Sequence, residues 1–177
     1  GRAFEFLFID DGSRDHTNAR VRSLIEREPR AGLITLSRNF GHQNAITAGL
    51  EFCSGDYAII IDADAQDPPE EIPRILEALD AGHDLVHMVR SARPSDSALK
   101  KVSAHLFYIL MRRYVLPELP QNAPDFKGCN RRVLDALRRY PERVRFMRGL
   151  MATLGFKQTR LYYVREPRHA GVSAYSF

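Results

Sequence analysis

Apolar positions follow two rhythms along this chain. Dense short runs at 4–9, 33–36, 57–61 and 84–90 have the β-branched and aromatic character of strands. Between them, apolar residues recur at three- and four-residue spacing: Val21, Leu24 and Ile25, then Ala45, Ile46, Gly49 and Leu50, then Ile72, Ile75, Leu76 and Leu79. That spacing predicts three helices. Pro29 closes the first, the second spans 43–52 and ends near Gly55, and Pro68-Pro69-Glu70-Glu71 opens the third, which Gly82 ends. Proline is tolerated in a first turn, and acids there complement the helix dipole. The resulting β-α-β-α-β-α-β order, without internal repeats, predicts a parallel sheet wrapped by helices. The run 57–61, five apolar residues between polar flanks, reads as a strand buried on both faces.

The second half changes character. Leu99, Val102, Leu106, Ile109 and Leu110 form one helical face. Such a face packs on a core or, flanked here by Lys100, Lys101, Arg112 and Arg113, rests on a membrane surface. A loop over 117–127 carries Asp125-Phe126-Lys127, short helices are expected near 130–139 and 145–154, and a strand is expected over 158–164.

A length of 177 residues suits one domain with a sizeable core, and 44% hydrophobic with 27% charged residues is an ordinary globular composition. The net charge of +4 favours anionic partners without choosing among them. Nucleic acid is disfavoured, because no interleaved aromatics or recognisable binding motif accompany the basic residues. Cys53 and Cys129 have neither Cys-x-x-Cys spacing nor a nearby histidine pair, so neither a zinc site nor a disulfide framework is indicated, and a reducing compartment follows. No apolar run reaches the roughly 18 residues that span a bilayer. The chain enters a strand almost at once and ends on Ala174-Tyr-Ser-Phe177 without a polar tail, which reads as a piece of something longer.

Chemistry gathers where strands stop. Asp62 and Asp64 follow the third apolar run, and on an extended backbone both face one way while Ala63 faces the other. In open α/β sheets ligands bind beyond the carboxyl ends of strands, where such a pair suits a hard cation shared with substrate phosphates. The alternative is a solvated turn carrying two acids. A second acidic turn, Asp10-Asp11-Gly12-Ser13-Arg14-Asp15, ends the first strand. Asp-Gly-Ser is also ordinary turn chemistry, and Asp15 suits a helix cap.

Four segments together resemble the inverting family 2 glycosyltransferases of the GT-A fold, most of all the polyprenyl-phosphate glycosyltransferases similar to dolichol-phosphate mannose synthase. They are Ile9-Asp-Asp-Gly-Ser13, Leu36-Ser-Arg-Asn-Phe-Gly-His42, Asp62-Ala-Asp-Ala-Gln-Asp-Pro-Pro69 and Arg168-His-Ala-Gly-Val-Ser-Ala-Tyr175. They occur in the family's order and span nearly the whole chain. The resemblance implies an α/β fold with a mostly parallel sheet and helices on both faces. It also implies that the family's first strand and helix lie upstream of Gly1, and that membrane helices follow Phe177. Three departures stand out: Pro124 in place of a usual glycine, Lys127 in place of a frequent arginine, and Val172 with Ala174 in place of Glu and Lys.

The implied reaction moves a sugar from a nucleotide-sugar donor to a polyprenyl phosphate acceptor at the cytoplasmic face of a membrane. The resemblance implies a Mg2+ or Mn2+ ion held by Asp62, Asp64 and Gln66. On the donor side it places Asp10, Asp11, Ser13 and Arg38, with His42 in the same loop as a weaker candidate. Arg90, at the end of the fourth strand, and Arg168 are the cationic candidates for the acceptor phosphate, and Lys101 is a third. Asp125 matches an acidic position near the reacting centre, where it orients donor or acceptor, or acts as a base if a sugar hydroxyl attacks. Two other functions stay open: transfer to a hydroxyl of a growing polysaccharide, and an inactive nucleotide-sugar-binding module or structural partner. Homo-oligomerisation also stays open.

Overall fold

The computed structural model describes residues 2–91, 124–142 and 146–164. The expected helix over 99–110, Lys101 and the Arg168 segment lie outside the described residues. Within them the chain runs β1 (Phe6–Asp10), α1 (Thr17–Ile25), β2 (Ala31–Thr35), α2 (His42–Phe52), β3 (Tyr57–Ile60), a 3-10 turn (Pro69–Glu71), α3 (Ile72–Asp80), β4 (Leu85–Arg90), β5 (Lys127–Asn130), α4 (Arg131–Arg138), α5 (Met147–Thr153) and β6 (Gln158–Tyr163). The two hydrophobic rhythms therefore locate the first seven elements to within a few residues.

The sheet is mixed rather than mostly parallel. β1 and β2 form a parallel pair, and a second sheet has the order β3-β5-β4-β6, in which β4 and β6 are parallel while β5 runs antiparallel to both neighbours. β5 inserts between the two strands that a simple βαβ reading sets side by side. Its sequence, Lys-Gly-Cys-Asn, lacks the β-branched and aromatic residues that mark strands. Tertiary packing makes it a strand. A Cβ on Gly128 would lie 2.2 Å from Cγ2 of Ile75, so glycine lets α3 pack directly on this strand. Asn130 then ends it and caps α4, its side chain accepting from the Val133 N–H at 3.2 Å.

The strand buried on both faces is β4, not β3. Every residue of β4 from Leu85 to Val89 is buried, whereas β3 is half-exposed throughout. β4 has strands on both sides and an apolar cluster on each face, while β3 lies at the margin of its sheet. One cluster joins Ile46 and Leu50 of α2 to Leu85, Cys129, the inner face of α4, and Met147 and Met151 of α5. The other packs Ile75 and Leu79 of α3 on Val86, Met88, Phe126 and Tyr163. Both cysteines are free thiols, and no helix among the described residues is long and apolar enough to cross a membrane.

His87 of β4 is buried between Lys127 of β5 and Arg160 of β6, with Nε2 2.8 Å from Oε1 of Gln158. Burial, partly offset by the Gln158 contact and aided by the two neighbouring cations, pushes its pKa down to about 4. A histidine held neutral in the fold contributes its full stability above its unfolded pKa near 6.5. That contribution is lost as the pH falls toward 4, because only the unfolded chain then takes up the proton. We expect on the order of 3 kcal/mol to be lost across that window. Urea midpoints measured from pH 7 to pH 4 check this, and the slope should flatten in His87→Asn.

Candidate active site

The acidic turn after β3 keeps the strand's alternation although the strand itself stops at Ile60. Asp62 and Asp64 are half-buried and Gln66 is buried, while Ala63 and Ala65 between them are exposed. Ala65 adopts a left-handed φ of +56°, and the Gln66 N–H donates to Oδ1 of Asp64 at 3.1 Å. The expected alternation of covered and exposed positions is therefore present, carried by a tight turn rather than by a pleated strand.

Asp62 sits among other carboxylates. Burial raises its pKa, the charges of Asp67, Asp64 and Asp125 raise it further, and His42 opposes them. Self-repulsion of this kind is relieved by a cation. Oε1 of Gln66 is buried without a hydrogen-bond partner, a neutral oxygen donor in the turn that carries the two carboxylates. Among the described residues no group of three His, Cys, Asp or Glu is arranged to hold a metal, so any ion here draws on Gln66 and on oxygens from outside the chain. That donor set, all oxygen, fits Mg2+ or Mn2+.

Asp125 precedes β5 at the centre of a second network. Its Oδ2 lies 3.1 Å from Nε2 of His42 and accepts from Nε2 of Gln43 at 3.2 Å and from Nη2 of Arg148 at 3.0 Å. Its Oδ1 lies 3.5 Å from Nζ of Lys127, which is fully buried. Burial alone would raise the Asp125 pKa, but the His42 hydrogen bond and the charges of Lys127 and Arg148 outweigh it and hold the carboxyl well below its usual range. Burial in turn lowers the Lys127 pKa to about 8, against the attraction of Asp125. His42 also lies 3.6 Å from Oδ1 of Asp62, so it joins the two acidic centres, and its contact with Asp125 raises its pKa. The loop histidine that stood as a weak candidate is thus a hub.

A third region faces the ends of β1 and β2. A cavity of about 490 Å³ is lined by residues that include Asp10, Ser13, Asn18, Arg22 and Arg38. Asp10 accepts from the Ser13 N–H at 2.9 Å and from Nδ2 of Asn18 at 2.8 Å, and these bonds lower its pKa. Asp11 accepts from the backbone N–H groups of Phe40 and Gly41 at 2.8 and 2.9 Å, which ties the loop after β2 to the loop after β1. The two loops touch so closely that a Cβ on Gly12, at φ +70°, would lie 2.5 Å from the Arg38 carbonyl carbon. Arg38 itself stacks over Phe40 at 4.6 Å. Asp10, Ser13 and Arg38 thus share one cavity, and Asp11 braces its wall.

Arg90 ends β4 as expected, and its Nε donates to the Tyr163 hydroxyl at 3.2 Å. Gln43, Lys127 and Arg148, which complete the Asp125 network, carry no sequence signal as a group. A short helix carrying Arg148 and a glutamine beside a loop histidine look like solvated surface until the fold brings them together.

A family model for "Glycosyl transferase family 2" matches residues 1–138. An uncharacterized glycosyltransferase of Bacillus subtilis is 41% identical over 97% of this chain and 53% of its own length. A bactoprenol glucosyl transferase of Shigella phage SfX is 38% identical over 97% of this chain and 56% of its own. The chain therefore spans about half the length of the curated relatives it matches. Among solved structures, a mannosyltransferase from Pyrobaculum calidifontis in complex with GDP-Man and Mn2+ aligns with a TM-score of 0.59 at 20% identity, covering 90% of this chain and 46% of that one. The α/β architecture is that of the GT-A glycosyltransferases, and the chain belongs to glycosyl transferase family 2.

Proposed function

We propose that this domain transfers a hexose, with inversion, from a nucleotide-diphosphate sugar to the phosphate of a polyprenyl phosphate at the cytoplasmic face of a membrane. The carrying observation is the state of Asp125. It is the acid placed at the centre of the site, yet His42, Lys127 and Arg148 surround it and hold its carboxyl below the usual carboxylate range, which makes it a poor proton acceptor. A sugar hydroxyl needs a base to attack. A phosphate monoester, with a second pKa of about 6, is already a nucleophilic dianion near neutral pH and needs orientation and charge neutralisation instead. The Shigella phage relative, named a bactoprenol glucosyl transferase, supports the same acceptor class.

The cavity beside Asp10, Ser13 and Arg38 would take the nucleoside part of the donor, and the acidic turn would meet its diphosphate. Asp62, Asp64 and Gln66 would hold Mg2+ or Mn2+, which as a Lewis acid supplies neutralisation of the departing diphosphate. Arg90 would face the acceptor phosphate, with Arg168 as a second cation outside the described residues. Asp125 and its cations act as a fixed electrostatic frame between donor and acceptor. The assay that tests this compares labelled transfer to polyprenyl phosphate, to the unphosphorylated polyprenol and to an oligosaccharide. Transfer to the phosphate alone is expected; transfer to the oligosaccharide would favour the polysaccharide reading.

We further propose that the complete catalytic domain contains one more strand-helix unit upstream. Among the described residues β1 pairs only with β2 and β3 pairs only with β5, which leaves the outer edges of β1 and β3 unpaired, and α2 packs against both β1 and α4. Unpaired strand edges expose backbone donors and acceptors. Adding roughly 30 to 40 natural upstream residues, about one βα unit, should raise the melting temperature. Equal melting of the two forms would count against the extra unit.

A further inference from the structure

We propose that Asp67 and Tyr163 are positioning residues that hold Arg90 for the acceptor phosphate and couple it to the acidic turn; this rests on the acceptor reading above. Arg90 and Tyr163 are the last residues of β4 and β6, and they are register partners in that parallel pair. The register puts the phenol beside the guanidinium, and Nε of Arg90 donates to the Tyr163 oxygen at 3.2 Å. The Tyr163 hydroxyl in turn donates to Oδ1 of Asp67, and the same carboxylate oxygen lies 3.6 Å from Nη2 of Arg90. One acid thus meets both members of the pair.

Asp67 and Tyr163 are 1% and 3% exposed, so neither pairs through solvent, while the Arg90 side chain remains 28% exposed. The ring of Tyr163 is fixed edge-on against Phe126, with centroids 5.5 Å apart and planes at 89°. Phe126 follows Asp125, so the brace stands on the segment that carries the central acid. Burial and then the hydrogen bond to Asp67 raise the Tyr163 pKa, which keeps the phenol protonated and donating. Asp67 follows Gln66 in the turn of Asp62 and Asp64. A carboxylate buried at this cost without service to a cation is rare, and a buried charge is tolerated when paired and hydrogen-bonded. The arrangement makes the donor-side turn the anchor of the acceptor-side arginine.

Tyr163→Phe keeps the ring on Phe126 and removes only the hydroxyl, which makes it the test. Steady-state kinetics with polyprenyl phosphate varied should show acceptor KM raised about tenfold, with donor KM and kcat changed less than about twofold and the melting temperature nearly kept. In an Arg90→Ala background the same substitution should add nothing, because the group it positions is gone. Asp67→Asn, which still accepts from the phenol but lacks the charge, should raise acceptor KM less than Arg90→Ala does. An unchanged acceptor KM in Tyr163→Phe while Arg90→Ala raises it would overturn the positioning role, as would a full tenfold effect persisting without Arg90. An unchanged acceptor KM in Arg90→Ala would instead sink the acceptor reading on which the role depends.

Discussion

Replacing Asp64 with asparagine is expected to lower turnover by about three orders of magnitude or more while leaving the fold intact. The turn should survive because Oδ1 of Asp64 accepts from the Gln66 N–H, and an asparagine carbonyl can accept the same bond. What the substitution removes is charge, at the place where the proposed reaction neutralises a departing diphosphate. Loss of a charged ligand there costs several kcal/mol of transition-state stabilisation, and each 1.36 kcal/mol is a factor of ten in rate. Thermal melts and turnover on the same preparation, with and without added Mg2+ or Mn2+ and with chelator, check both halves. Full activity in excess chelator would contradict the role given to Asp62, Asp64 and Gln66.

Arg90→Ala and Asp125→Asn should fail in opposite ways. Charge-assisted bonds to phosphate are strong and geometrically demanding, so loss of Arg90 should raise acceptor KM on the order of a hundredfold, about 2 to 3 kcal/mol, while nucleotide binding by calorimetry stays near normal. Asp125→Asn should be both less stable and less active, because it leaves Lys127 buried without its carboxylate. Lost activity alone therefore does not identify a base. The pH profile does. With Asp125 ionised far below the assay range, an acidic limb near pH 6 belongs to the second ionisation of the acceptor phosphate and should persist in Asp125→Asn. A limb that vanishes with the carboxylate would identify Asp125 as a base and favour a hydroxyl acceptor.

Much of this site was legible in residues that are neighbours in sequence. The turns at 10–15 and 62–69 announce themselves, because acids, glycine and proline follow directly on dense apolar runs and those runs have to be strands. Asp62, Asp64 and Gln66 are covered and alternate with exposed Ala63 and Ala65, the period of two that the sequence suggests. The remainder depends on long-range register, which no local pattern encodes. β5 is a strand because Gly128 admits Ile75, not because its residues favour extension. Once it lies antiparallel between β3 and β4, Asp125 and Lys127 meet His42 and Arg148, four residues scattered over more than a hundred positions. Arg90 was identified by its place at a strand end, whereas Tyr163 and Asp67 became visible only through the pairing of β4 with β6. Arg168 and Lys101 fall outside the described residues.

Mass spectrometry of the lipid formed by the full-length protein in membranes, supplied with polyprenyl phosphate and a panel of nucleotide sugars, bears most directly on the central claim. The expected product carries one hexose linked through a single retained phosphate to the polyprenyl chain. A hexose found on a glycan hydroxyl, or free hexose with no lipid product from any donor, would contradict it.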